Sequence, residues 1–160
     1  MITFTDQMSA DMELDATEIY PQLYQGSVPP HGDRLAKEGF RLVVLCAAEK
    51  IPPAAAFKKI ALAIAPMHDT NVIHPDHWAD AQLAAKHVVD YIRRGKKVLV
   101  TCNAGLNRSG VVVALAANLL GYPMQEVIAR IQTRRYRHDL HGLCNPAFVS
   151  QLYSVARSSK

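Results

Sequence analysis

The stretch from Lys97 to Leu120 constrains this chain more than any other. Lys97-Val98-Leu99-Val100-Thr101 has the β-branched, apolar character of a short strand, and it breaks abruptly into Cys102-Asn103-Ala104-Gly105-Leu106-Asn107-Arg108-Ser109-Gly110. An apolar helix follows from about Ser109 to Leu120 and stops at Gly121. A strand thus delivers a cysteine to a tight loop that feeds straight into a helix N-terminus. Backbone N–H groups there point outward unpaired, and the helix dipole adds partial positive charge. Gly105 permits the turn that aims successive amides at one point, an anion-binding nest. Arg108, six residues after Cys102, supplies a planar fork of donors matched to phosphate oxygens. The same field favours the thiolate of Cys102. A nucleophile and an oxyanion cradle share one loop, an arrangement suited to cleaving phosphate esters.

The rest of the chain alternates strands and helices around this junction, which predicts one α/β domain. Residues 1–18 read as a loose polar lead-in and residues 19–157 as the domain. Ile19 to Gly26 reads as a hairpin-like pair of strands with Pro21 at the turn. Asp33 to Glu38 is a short helix stopped by Gly39, and Arg41 to Ala47 is a strand buried on both faces. Ile60 to Ala65 is a second apolar run that ends at Pro66. From Pro75 to Arg94, Trp78, Ala81, Ala85, Val88 and Ile92 recur at helical spacing on one face. Pro123 opens a helix with Val127, Ile128 and Ile131 inward, and Asn145-Pro146 opens a last one with Phe148, Leu152 and Val155 inward.

Composition narrows the function classes. The 160 residues suit one domain, and 49% hydrophobic with 20% charged residues is a globular balance. The longest apolar stretches, Val111–Ala117 and Ile60–Met67, are too short to span a bilayer. Met1 to Asp6 lacks the basic start and apolar core of a secretory signal. Three cysteines cannot all pair internally, which points to a reducing, cytoplasmic setting and a thiol free to react. Eighteen basic against 14 acidic residues give a net charge of +4, with Arg130, Arg134, Arg135, Arg137 and Arg157 late in the chain. That excess favours anionic ligands such as phosphate esters or RNA, although the run Arg134-Arg135-Tyr136-Arg137-His138 reads most simply as a solvated helix end.

Other loop chemistries fail on residues. A nucleotide P-loop needs Gly-Lys-Ser/Thr, whereas Arg108-Ser109 stands here without a lysine. A hydrolase elbow needs glycine two before Ser109, and that residue is Asn107. Cys46, Cys102 and Cys144 are too dispersed for structural zinc, and His68, His74 and His77 cluster without an evident fourth ligand, so no metal is expected.

Cys102 to Ser109 resembles the Cys-x5-Arg-Ser/Thr signature of the protein tyrosine phosphatase superfamily. Rhodaneses and low-molecular-weight phosphatases share a cysteine-arginine loop, but the flanking segments look like the dual-specificity branch. Ile19 to Ser27 resembles its opening strands, Phe40 to Ala48 its second strand, His68-Asp69-Thr70 the loop bearing its general acid, and Asn145-Pro146-Ala147-Phe148 its last helix. The resemblance implies a compact phosphatase-like domain with a central, mostly parallel sheet flanked by helices. It implies hydrolysis of phosphotyrosine, phosphoserine or phosphothreonine through a phosphocysteine. In that mechanism Cys102 attacks phosphorus, and the amides of Asn103, Ala104, Gly105, Leu106, Asn107 and Arg108 hold the phosphate with the Arg108 side chain. Asp69 is the acid, Ser109 stabilises the departing thiolate, and no cofactor takes part. Asp76 is the reserve acid. Thr101 stands where the family usually has histidine, which predicts lower or pH-shifted activity. Cys46 lies in a Leu-Cys-Ala context like that of some lipid-directed relatives, and reads either as a core thiol or as a redox partner of Cys102. The expected partner is a phosphorylated protein or another phosphate monoester, met by a monomer with no membrane span. Two alternatives remain open: an RNA 5′-phosphatase of the same superfamily, suggested by Asn107-Arg108 and the basic run, and a phosphate-binding module with weakened catalysis.

Overall fold

The buried runs Phe40–Ala47 (β3) and Lys97–Thr101 (β5) pair in parallel at the middle of a five-stranded sheet in a computed structural model that describes residues 13–158. Met1 to Asp6, the first twelve residues of the expected lead-in and the Arg157 side chain lie outside the described residues. Beside β5 lies Leu23–Gly26 (β2), parallel to it, and antiparallel to β2 lies Ala16–Tyr20 (β1). Ala61–Met67 (β4) pairs in parallel with the far side of β3, so the order is β1-β2-β5-β3-β4. The β1–β2 turn is Pro21-Gln22, with Gln22 at φ 70°, the pairing of a preset proline with a left-handed second residue. The first strand begins at Ala16, earlier than Ile19, because Ala16 to Glu18 pair with Gly26 to Tyr24.

Strand alternation explains the continuous apolar run of β3. Leu42, Val44 and Cys46 join one core cluster and Val43 and Leu45 the other, as do Val98 and Val100 against Leu99 in β5, while Phe40, across a register irregularity from Leu42, joins Val43 and Leu45. The smaller cluster is covered by Gly32–Lys37 (α1) and the 3-10 turn Ala54–Phe57. The larger face carries Pro75–Arg93 (α2), Arg108–Leu119 (α3), Met124–Arg134 (α4) and Pro146–Ser158 (α5). Every residue of α3 from Arg108 to Ala117 is buried, the mark of a helix enclosed by protein on all sides. In α2 the buried stripe is Ala81, Ala84, Ala85, Val88 and Val89, with Trp78 and Ile92 only partly covered. In α4, Val127, Ile128 and Ile131 face inward as their spacing predicts.

Between α4 and α5 lies a hairpin the sequence pattern does not reveal, Tyr136–Arg137 (β6) with Leu140–His141 (β7). His138 and Asp139 form its turn, both at positive φ, a geometry usually signalled by Asn-Gly. Among the described residues no helix is long and apolar enough to cross a membrane. The architecture is a mostly parallel α/β sheet with helices on both faces.

Candidate active site

The carboxyl ends of three adjacent parallel strands converge, the place where open α/β sheets bind ligands. Glu49 follows β3, His68 and Asp69 follow β4, and Cys102 follows β5. From Cys102 the chain curls through a loop whose carbonyls are pinned from behind. Arg135 donates to the Ala104 carbonyl (3.2 Å, Nη2) and the Gly105 carbonyl (2.6 Å, Nε). Gln25 Nε2 donates to the carbonyls of Gly105 (3.1 Å) and Leu106 (3.2 Å), and the Leu143 N–H donates to Leu106 as well (2.9 Å). Gly105 sits at φ 72°, and a Cβ there would lie 2.5 Å from the Gly26 carbonyl. The N–H groups of Asn103 to Asn107 have no acceptor among the described residues. With the carbonyls of Ala104, Gly105 and Leu106 tied elsewhere, these amides are left to donate to an anion.

Arg108, the first residue of α3, is 7% exposed. Its Nη1 and Nη2 donate to the two carboxylate oxygens of Glu49 (2.6 and 2.8 Å), and Nη1 also donates to the Met67 carbonyl (3.1 Å). The Arg108 hydrogen bond holds the Glu49 carboxyl down at about 2. Burial works against the charge on Arg108, but the Glu49 hydrogen bond and the neighbouring Cys102, Glu49 and Asp69 push its pKa up. Nε of Arg108 is buried and unpartnered. The fork is thus braced at its far end, with Nε–H and one N–H of Nη2 unspent.

Cys102 Sγ lies 3.3 Å from Ser109 Oγ. Gln25 Nε2 also lies within donating distance of that oxygen (3.1 Å), its two protons shared among three acceptors, and a serine hydroxyl can both accept from a thiol and donate to a thiolate. Thr101 is buried, and its hydroxyl donates to the Val44 carbonyl across the sheet (3.0 Å) rather than to the loop. Cys46 is fully buried in the same cluster as Cys102, and burial, with Cys102 nearby, pushes its thiol well up. All three cysteines are free.

Asp69 is exposed but anchored. Its Oδ2 accepts from Asn107 Nδ2 (2.9 Å) and its Oδ1 from Asn145 Nδ2 (2.8 Å). Asp76, by contrast, lies in the first turn of α2 with its side chain 89% exposed, and its N–H donates to His74. The structure therefore brings Asp69 to the loop and leaves Asp76 at a helix end. The rings of His68 and His74 each lie near His77, but no group of three ligating side chains able to hold a metal occurs among the described residues.

The basic run needs correction. Arg135 is 2% exposed, not a solvated helix end, and pairs with Asp15 through Nη1 (2.7 Å) and Nη2 (2.5 Å). Arg137 joins the same carboxylate (2.9 Å), and Arg134 donates to the Glu18 carbonyl (3.3 Å). Burial pushes the Asp15 carboxyl up, but hydrogen bonds from Arg135 and Ser27 and the charges of Arg135 and Arg137 outweigh it and bring it to about 2. Gln25, Glu49, Arg135 and Asn145 are site residues the sequence reading does not single out for the chemistry. The faint signals are a glutamine inside a buried strand and a lone acid two residues beyond another.

Residues 39–141 match the model of the tyrosine phosphatase family. No curated protein matches the sequence. Among solved structures the fold is similar to that of human DUSP28, at 20% identity and TM-score 0.74, covering 92% of this chain and 97% of that one. It is also similar to human tyrosine phosphatase-like serine/threonine/tyrosine-interacting protein, at 22% identity and TM-score 0.72 (92% and 99% covered). The active form of Tk-PTP matches at 20% identity and TM-score 0.74 (91% and 99% covered).

Proposed function

This chain belongs to the tyrosine phosphatase family, and we propose that it hydrolyses phosphate monoesters of proteins, on tyrosine, serine and threonine alike, through a phosphocysteine. The observation that carries this reading is the braced loop: a cysteine sulfur 3.3 Å from Ser109 Oγ, inside a nest with carbonyls tied elsewhere. In the first step the Cys102 thiolate attacks phosphorus, the bond from phosphorus to the leaving oxygen breaks, and Asp69 gives that oxygen its proton. The loop amides and Arg108 hold the equatorial oxygens as charge develops. In the second step water attacks phosphorus and passes a proton to the Asp69 carboxylate. The phosphorus–sulfur bond breaks, and the Ser109 hydroxyl donates to the departing thiolate. No cofactor enters either step. Three free cysteines fit a reducing cytoplasm, and the chain is read as a monomer there.

The engagement of Arg134, Arg135 and Arg137 within the protein weakens the RNA reading. A second reading, a phosphate-binding module with little turnover, is favoured by the Thr101 hydroxyl bonding to Val44 instead of the loop. Turnover of p-nitrophenyl phosphate separates the two. The wild type should be active and Cys102→Ser inactive while still binding phosphate. An inactive wild type that binds phosphate establishes the module. Asp69→Asn should cost on the order of 10²–10⁴-fold on a phosphotyrosine peptide and less on the activated ester. Should Asp76→Asn show that pattern instead, the acid assignment is reversed.

A further inference from the structure

We propose that Asn145 is a positioning residue for the reaction: its side-chain amide, with that of Asn107, holds the Asp69 carboxylate in one orientation over the phosphate loop. This rests on the phosphatase reading above. Asp69 and its neighbours His68 and Thr70 are exposed, so packing does not confine the carboxylate. The two amides do, one on each oxygen, at 2.9 and 2.8 Å.

Both amides are themselves fixed. Asn107 Oδ1 accepts from the Asn145 N–H (2.9 Å), and Asn145 Oδ1 accepts from the Ala147 N–H (3.0 Å). Flipping either side chain would set an oxygen against the carboxylate and an NH2 against an N–H donor, so the donor face of each must point to Asp69. Asn145 Nδ2 also donates to the Thr70 carbonyl (2.9 Å), which staples the backbone just after the acid. Asn107 stands at the start of α3 and Asn145 at the start of α5, so two helix starts set the place of a loop side chain. An acid held in this way needs no loop closure to meet the leaving oxygen, and pre-organisation of this kind shortens the search for a reactive geometry.

Asn145 has a structural duty too, since its Oδ1 caps α5 through Ala147. Asn145→Ser separates the duties, because serine is a good cap acceptor but offers no amide to Asp69. The variant should keep the melting temperature, and its rate on p-nitrophenyl phosphate should fall less than its rate on a phosphotyrosine peptide. Its kcat on a phosphotyrosine peptide should fall about tenfold or more, up to the 10²–10⁴-fold that a general acid contributes. KM should change little, and the loss should vanish in an Asp69→Asn background. Hydrogen exchange at residues 69–72 should also speed up. Equal losses on both substrates, losses that add to those of Asp69→Asn, or unchanged exchange at the acid loop would overturn the proposal. A wild type inactive on both substrates would refute the phosphatase reading instead, and the exchange measurement would still decide whether Asn145 holds the loop.

Discussion

Replacing Arg135 by methionine tests whether the nest is held open from behind. The guanidinium joins Asp15, Thr17 and the carbonyls of Ala104 and Gly105. In Arg135→Met the Gly105 carbonyl keeps Gln25, but the Ala104 carbonyl loses its donor. Asp15, with a third of its side chain exposed, keeps Arg137 and the Ser27 N–H, so it is not stranded as a bare buried charge. The dominant cost is the loss of charge-assisted bonds to the loop, about 3 kcal/mol once solvent is allowed to compete. For a domain of this size that lowers Tm by roughly 6–12 °C.

The oxyanion site should suffer separately, with affinity for tungstate or vanadate falling about tenfold as the amides lose alignment, which corresponds to about 1.4 kcal/mol. The acid limb of stability provides a further readout. Asp15 is depressed in the folded protein from 3.8 to about 2, so its contribution is fully present above the unfolded value and fades as pH falls through about 2. Without Arg135 the dependence between pH 4 and 2 should flatten. Thermal melts, isothermal titration and kcat/KM on the same samples decide the matter. A variant that melts early yet binds oxyanion and turns over like the wild type would refute the reasoning.

Glu49→Gln keeps the size but weakens the brace on Arg108, so kcat/KM should fall while Cys102 alkylation by a neutral reagent continues; an unchanged kcat/KM would mean that Met67 and the fold alone orient the fork. For the redox reading of Cys46, mild peroxide followed by peptide mapping should yield a Cys46–Cys102 disulfide that dithiothreitol reverses. Over-oxidised Cys102 beside intact Cys46 would leave Cys46 a core thiol, in keeping with its burial and raised pKa.

The parts of this site that sequence makes legible are the local ones. Cys102, Gly105, Arg108 and Ser109 sit within eight consecutive residues, and strand, turn and helix start are written in the same stretch. Asp69 is legible only through resemblance, because nothing near it in sequence separates it from Asp76. What separates them is Asn145, 76 residues away, and Asn107, 38 away. Gln25 reaches Gly105 across 80 residues, and Glu49 reaches Arg108 across 59. Periodicity and spacing carry no trace of such pairings. Arg135 shows the cost of reading charge locally: its neighbours suggest solvent, whereas Asp15 and the loop carbonyls draw it inside. The β6–β7 hairpin escapes for a related reason, since two-residue strands are too short to alternate.

The Asp15–Arg135 pair joins residues 120 positions apart, and its arginine holds the carbonyls of Ala104 and Gly105. A contact of such sequence separation carries the entropic cost of closing the loop between its partners. The cradle therefore takes shape only when the first strand and the fourth helix are both in place. A partly folded chain, or one still emerging from synthesis with β5 and α3 already formed, would carry the nucleophile and its arginine without the geometry to use them. If Cys102 is the nucleophile proposed above, its competence is thereby tied to completion of the fold.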